Sequence, residues 1–173
     1  MQKALFLDRD GVINIEKEYL YKVEDFEFID GIFDTCKYFR DMGYIIIVVT
    51  NQSGIARDYY TENDFSILTQ WMLQEFSKKH IDIKHVYFCP HHPDISRICA
   101  CRKPKAGMLL DAKKDFDLDL SNSILIGDKE RDIEAALNAG LQESYLFDEL
   151  GKVTVSKATK IVKSLNEIWE SRC

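Results

Sequence analysis

Tyr44-Ile45-Ile46-Ile47-Val48-Val49-Thr50-Asn51-Gln52-Ser53-Gly54 decides the architecture. Its first part is apolar at odd and even positions alike, so a strand built from it must be covered on both faces. That is the condition of a central strand in a parallel sheet. The run then turns polar, as a strand does where it leaves the sheet. On one side, Gly31–Met42 places Ile32, Phe33, Cys36 and Phe39 on one helical stripe, with Gly43 as a stop. On the other, Thr61 is an N-cap for a helix carrying Phe65, Leu68, Met72 and Phe76.

The alternation continues along the chain. Strands are expected at Lys3–Leu7, Lys84–Phe88, Ser123–Ile126 and Ser144–Phe147. Helices are expected over Gly107–Phe116, Arg131–Ala139 (closed by Gly140) and Lys157–Glu170. The fold class is therefore α/β: a Rossmann-like three-layer sandwich around a central parallel sheet. At 173 residues, with 46% hydrophobic residues, the chain is read as one domain spanning 1–173. It has no internal repeat and no low-complexity linker.

The net charge of −6 argues against non-specific nucleic-acid binding, and an anionic ligand would need basic residues gathered locally. No apolar run approaches a membrane span, and the N-terminus lacks a signal-peptide pattern. The expected setting is the cytoplasm, where thiols stay reduced. Three of the five cysteines fall within Cys89–Cys101, and that clustering points to a metal before a disulfide. This stretch has prolines and paired histidines but no periodicity. Cys89-Pro90-His91 followed by Cys99-Ala100-Cys101 supplies three thiolates and one imidazole, a closed structural Zn²⁺ set, with His92 able to substitute. Cys36 belongs to a core stripe, Cys173 to the tail, and Trp71 and Trp169 to helix packing. His80 and His85 show no partner pattern.

Sites in open parallel sheets form at the carboxyl ends of the strands. There this chain has Asp8-Arg9-Asp10-Gly11-Val12, Thr50-Asn51-Gln52-Ser53-Gly54, Lys103 and Gly127-Asp128-Lys129-Glu130-Arg131-Asp132. Any one of these alone reads as a turn. Together Asp8, Asp10 and Asp128 offer hard oxygen ligands suited to Mg²⁺. Asp8 would be the nucleophile, and Asp10 the acid that protonates the leaving alcohol and then the base for water. Thr50 and Asn51 would donate to phosphate oxygens, and Lys103 would add fixed positive charge. Asp132 has two uses: binding metal through water, or favouring a helix N-terminus.

These segments, in this order over residues 8 to 132, resemble the four motifs of the haloacid dehalogenase (HAD) superfamily. The Cys89–Cys101 loop is similar to the zinc loop of the D-glycero-D-manno-heptose 1,7-bisphosphate phosphatases and the related histidinol phosphatases. The resemblance implies His91 rather than His92 as the zinc ligand, and no large cap domain. It implies a Mg²⁺ site from Asp8, the Asp10 backbone carbonyl and Asp128. It implies Arg102 as a recognition residue for a second phosphate. Glu16, Tyr19, Asn51, Gln52, Ser53, Arg57 and Lys129 match positions that line the substrate. The implied activity is removal of the C7 phosphate from a heptose 1,7-bisphosphate for lipopolysaccharide or surface-glycan synthesis. No long exposed interface pattern stands out in the sequence, so a monomer is expected. Histidinol phosphate is the alternative substrate, and a phosphatase of nucleic-acid ends is disfavoured by the acidic balance. A non-catalytic zinc module would be marked by loss of Asp8 or Asp10, and both are present. Asp58 and Ala106 depart from the glycine and proline usual in the family.

Overall fold

The computed structural model of the protein describes residues 1–172; Cys173 lies outside them. Six parallel strands form one sheet: β1 (Lys3–Leu7), β2 (Tyr44–Asn51), β3 (Ile83–Cys89), β4 (Ile124–Gly127), β5 (Glu143–Phe147) and β6 (Lys160–Val162), ordered β3-β2-β1-β4-β5-β6. The chain builds outward from β1 to β3, then returns to place β4 on the other side of β1. The order therefore reverses between β1 and β4, and a crevice opens there at the strand ends.

The helices are α1 (Ile32–Asp41), α2 (Glu62–Lys78), α3 (Gly107–Phe116), α4 (Glu130–Ala139) and a short α5 (Glu167–Glu170). Alternate residues of β1 face opposite layers. Leu5 and Leu7 pack with Phe39, Met72 and Phe76 from α1 and α2. Ala4 and Phe6 pack with Leu109, Ile133 and Ala136 from α3 and α4. A strand buried on both sides must be apolar at every position, and this is why Tyr44–Val49 reads as it does. Thr61 caps α2 through Asp64, whose side chain returns a bond to the Thr61 backbone at 2.8 Å. Trp71 packs against Phe26 and Phe28, and Trp169 stacks on Tyr38. Among the described residues, no inserted domain covers the strand ends, and no helix is long and apolar enough to cross a membrane.

The five expected strands and the first four helices form within a residue or so of their expected bounds. The expected helix over Lys157–Glu170 does not form. Its first half instead supplies β6, and only Glu167–Glu170 is helical. The reason lies in the sheet: without β6, the β5 edge would be unpaired. Ile161 and Val162 are β-branched, Val162 is fully buried, and its carbonyl accepts from Asp148 at 2.8 Å.

Candidate active site

Asp8 is the first residue past β1, and its backbone N–H donates to Ile126 of β4 at 3.1 Å. That bond ties the motif to the crevice where strand order reverses. The carboxylates of Asp8, Asp128 and Asp132 bring an oxygen each within 4.8 Å of one another. Two glycines make this possible. A Cβ on Gly11 would lie 2.2 Å from Asp128 Oδ2, and one on Gly127 would lie 2.3 Å from Asp132 Cβ.

Lys103 is 3% exposed and sits among these carboxylates. Its Nζ lies 3.1 Å from Asp8 and 2.7 Å from Asp132, and donates to the Val49 carbonyl at 2.9 Å. Burial would lower its pKa, but Asp132 and Asp8 more than offset this, so the pKa is raised and the charge kept. Burial pushes Asp8 well above the usual carboxylate range. Lys103 opposes that shift, while Asp132, Asp128 and Asp10 add to it. Asp128 is raised by burial and by Asp132, against the pull of Lys129 and Lys103. Negative charge thus outweighs the single buried lysine, and hard oxygen donors converge. A divalent cation such as Mg²⁺ fits this set. Asp132 itself is committed elsewhere. Its Oδ2 accepts from the backbone of Asp128 and Lys129 at the start of α4, at 3.2 and 3.0 Å. Of its two sequence-level uses, the structure displays the helix N-terminal one, together with the ion pair to Lys103.

The Asp10 carboxylate is clamped. Arg9 reaches both of its oxygens at 3.1 Å, Asn14 donates at 3.0 Å, and Gln52 donates at 3.0 Å. Arg9 is 1% exposed, donates also to the Leu20 carbonyl, and lies over Phe65. Thr50 is buried, and its hydroxyl accepts from Gln52 at 2.9 Å. Asn51 brackets the Lys103 backbone, donating to its carbonyl at 3.2 Å and accepting from its N–H at 3.0 Å. Neither Arg9 nor Tyr60, whose hydroxyl donates to Gln52, carries a sequence pattern that marks these contacts.

Above these groups opens a cleft of about 290 Å³, lined by Asp8, Asp10, Glu16, Tyr19, Asn51, Gln52, Ser53, Arg57, Arg102 and Arg131. In the sequence Arg131 stands out only as part of the Gly127–Asp132 motif. The Arg57 Nε is buried without a hydrogen-bond partner. Burial lowers the Arg102 pKa, and Arg131 and Arg57 lower it further. Converging guanidiniums of this kind suit an anion that would relieve them. Glu16 is raised by burial and by Asp10 and Asp128. Lys129 is not part of the lining; its Nζ lies 3.3 Å from Asp128. At the mouth, Tyr19 meets Tyr59 edge to face at 4.7 Å, with Arg57 5.8 Å from the Tyr19 ring. Asp58 has φ 59°, so the left-handed turn that suits glycine is kept by an aspartate, which tolerates it. Ala106 precedes α3 and makes no side-chain cap.

The ligand atoms of Cys89, His91, Cys99 and Cys101 also gather within 4.8 Å of one another. Cys89 is set by the sheet, paired with Asn51 across β2 and β3. Cys101 Sγ lies 2.7 Å from Cys89 and 3.4 Å from His91 Nδ1, and Cys89 to Cys99 is 3.5 Å. A zinc ion with Zn–S of about 2.3 Å separates its sulfurs by about 3.8 Å, so a small opening of this unbridged cluster accommodates the metal. His92 is turned to other work, its Nδ1 accepting from Asp94 at 3.2 Å. The loop is tied to the chain that follows it at two points. Arg102 donates to the His91 carbonyl at 3.3 Å, and Gly107 packs so closely on Ala100 that a Cβ would meet its carbonyl oxygen at 2.3 Å.

Comparison with known proteins gives the following. Residues 100–167 match the HAD-hydrolase-like family model. The chain is 58% identical over 147 residues to the D-glycero-alpha-D-manno-heptose-1,7-bisphosphate 7-phosphatase of Campylobacter jejuni, covering 85% of this chain and 83% of that protein. It is 43% identical over 148 residues to the corresponding beta-anomer phosphatase of Escherichia coli K12, covering 83% and 78%. The crystal structure of D,D-heptose 1,7-bisphosphate phosphatase from B. bronchiseptica, complexed with magnesium and phosphate, superposes with a TM-score of 0.86 at 27% identity, over 99% of this chain and 98% of that one.

Proposed function

The chain belongs to the heptose-1,7-bisphosphate 7-phosphatase family of HAD-like hydrolases, and from that premise we propose that it removes the C7 phosphate of D-glycero-D-manno-heptose 1,7-bisphosphate. The observation that carries this reading is a single cleft lined by Asp8 and Asp10 together with Arg57, Arg102 and Arg131, with Asp128 and Lys103 gathered on Asp8. A substrate with one phosphate for Asp8 and a second for the arginines would use both sets.

Asp8 attacks the C7 phosphorus and forms an aspartyl-phosphate as the P–O bond to the sugar breaks. Asp10 supplies the proton to the departing oxygen, then takes one from the water that hydrolyses the acyl phosphate. Lys103 and the Thr50 hydroxyl stabilise charge on the transferred phosphoryl group. Asp8 and Asp128, with the Asp10 carbonyl, would hold Mg²⁺, which lets one anion approach another. Arg102 and its neighbours hold the C1 phosphate and thereby orient C7. Asn51 positions Lys103, while Glu16, Tyr19 and Ser53 meet the sugar, and Lys129 tempers charge at Asp128. Zn²⁺ on Cys89, His91, Cys99 and Cys101 holds the loop of residues 89–101 so that Arg102 and Lys103 face the cleft.

The setting proposed with it is a monomeric, single-domain enzyme of the cytoplasm, working on a small sugar phosphate without nucleic-acid or membrane partners, in lipopolysaccharide or surface-heptose synthesis. The test is phosphate release, with Mg²⁺, from the alpha and beta anomers of the bisphosphate and from histidinol phosphate. Preference for a bisphosphate is expected. A preference for histidinol phosphate, which has no second phosphate for the arginines, would refute the sugar assignment and leave the chemistry intact.

A further inference from the structure

Gln52 is 2% exposed, and every hydrogen-bonding group of its amide is engaged. The nitrogen donates to Asp10 Oδ2 at 3.0 Å and to Thr50 Oγ1 at 2.9 Å. The oxygen accepts from the Tyr60 hydroxyl and, at 3.5 Å, from Arg9. An amide is oriented by its partners, and these leave one choice. Arg9 has donors only. Burial pushes the Tyr60 phenol up to about 12, so it keeps its proton at ordinary assay pH. The amide oxygen must face this pair, and the nitrogen must face Asp10 and Thr50. Two donors and two lone pairs are then all used, and none is left for a substrate. Thr50, accepting from Gln52, retains its own proton for another acceptor.

We propose that Gln52 is a positioning residue, not a substrate contact: Tyr60 and Arg9 fix the direction of its amide, and the amide aims the Asp10 carboxylate at the leaving oxygen and keeps the Thr50 proton free for the phosphoryl group. This rests on the phosphatase reading of Asp8 and Asp10. It departs from the substrate-lining role that family resemblance implies for Gln52.

Two variants separate the possibilities. Gln52→Leu keeps the volume and deletes all of these bonds, whereas Tyr60→Phe deletes only the bond that sets the amide's direction. Both are assayed with Mg²⁺ on heptose 1,7-bisphosphate, whose alkoxide needs a proton to leave, and on p-nitrophenyl phosphate, whose phenolate does not. Gln52→Leu should lower kcat on the sugar about 10²-fold, with KM held within about threefold and a loss on the aryl ester about tenfold smaller. Tyr60→Phe should repeat the pattern at about tenfold. A raised KM for the sugar with kcat preserved would overturn the proposal by making Gln52 a substrate contact. Equal losses on both substrates, with Tyr60→Phe like wild type, would overturn it by making Gln52 a packing residue. If the wild type prefers another alkyl phosphate, the substrate reading fails separately, and the same leaving-group comparison on that ester decides the role of Gln52. If Asp8→Asn equals wild type, the phosphatase reading and this proposal fall together.

Discussion

The carboxylate cluster borders the cleft and the cysteine loop leads directly into Arg102, which lines it, but the two are held in place by different means. Asp8, Thr50 and Asp128 stand at or just past the ends of β1, β2 and β4, and their backbone positions are fixed by strand pairing and by apolar layers on both faces. Residues 89–101 have no such support. Only Cys89 is on a strand; the remainder is irregular chain with Ile95 and Ile98 exposed. What can hold it is the cluster of three sulfurs and one imidazole. Arg102 and Lys103 follow that loop directly, and Asn51 of β2 brackets the Lys103 backbone. On the proposed zinc site, one half of the site is held by the sheet and the other by a metal.

The sharpest way to separate the halves is to disable one without disturbing the other. Asp8→Asn should reduce kcat by about 10⁴-fold or more, because the nucleophile is gone. Its unfolding midpoint should hold or rise, since a buried carboxylate crowded by Asp128 and Asp132 becomes neutral. Cys99→Ser attacks the other half. It should cost about 10²-fold in kcat/KM and bring zinc content below one per chain by mass spectrometry. Proteolysis should then cut within 89–101 while far-ultraviolet circular dichroism stays unchanged. If the sheet unfolded as well, the division into two halves would be wrong.

A smaller effect is expected where the halves meet. Arg102→Ala should raise KM for the bisphosphate about tenfold to a hundredfold, the worth of one charge-assisted contact. It should leave KM for p-nitrophenyl phosphate within about twofold, since that ester has no remote phosphate. A rise on both substrates would place Arg102 on the transferred phosphate instead. The smallest effect belongs to the scaffold alone. Asp119 precedes β4 and accepts from the Ser121 backbone at 3.1 Å. Asp119→Ala should lower the midpoint of chemical denaturation slightly with kcat unchanged.

The same division explains what could be read from the sequence. The runs at Lys3–Leu7 and Tyr44–Asn51 are buried on both faces and show it in their composition, and Thr61 and Gly140 mark the helix ends they form. The cysteine spacing likewise announced a cluster, because ligand type and spacing are local. Lys157–Glu170 misled, since a short edge strand of three residues leaves little periodicity, and the need to cover β5 is a property of the whole sheet. Arg9, Tyr60 and Arg131 were also invisible as functional groups. Arginine after an aspartate reads as a surface charge; only the fold buries it against Asp10 and Phe65. Tyr60 is one of two adjacent tyrosines, and nothing local says that it, rather than Tyr59, turns inward to Gln52.

The most direct test is to follow the reaction by ³¹P nuclear magnetic resonance with heptose 1,7-bisphosphate, Mg²⁺ and either wild type or Asp8→Asn. The C7 resonance should vanish as inorganic phosphate appears, the C1 resonance should remain on the sugar, and the variant should leave both untouched. Loss of the C1 phosphate, or equal turnover by Asp8→Asn, would contradict the assignment of Asp8 to C7 and of the arginines to C1.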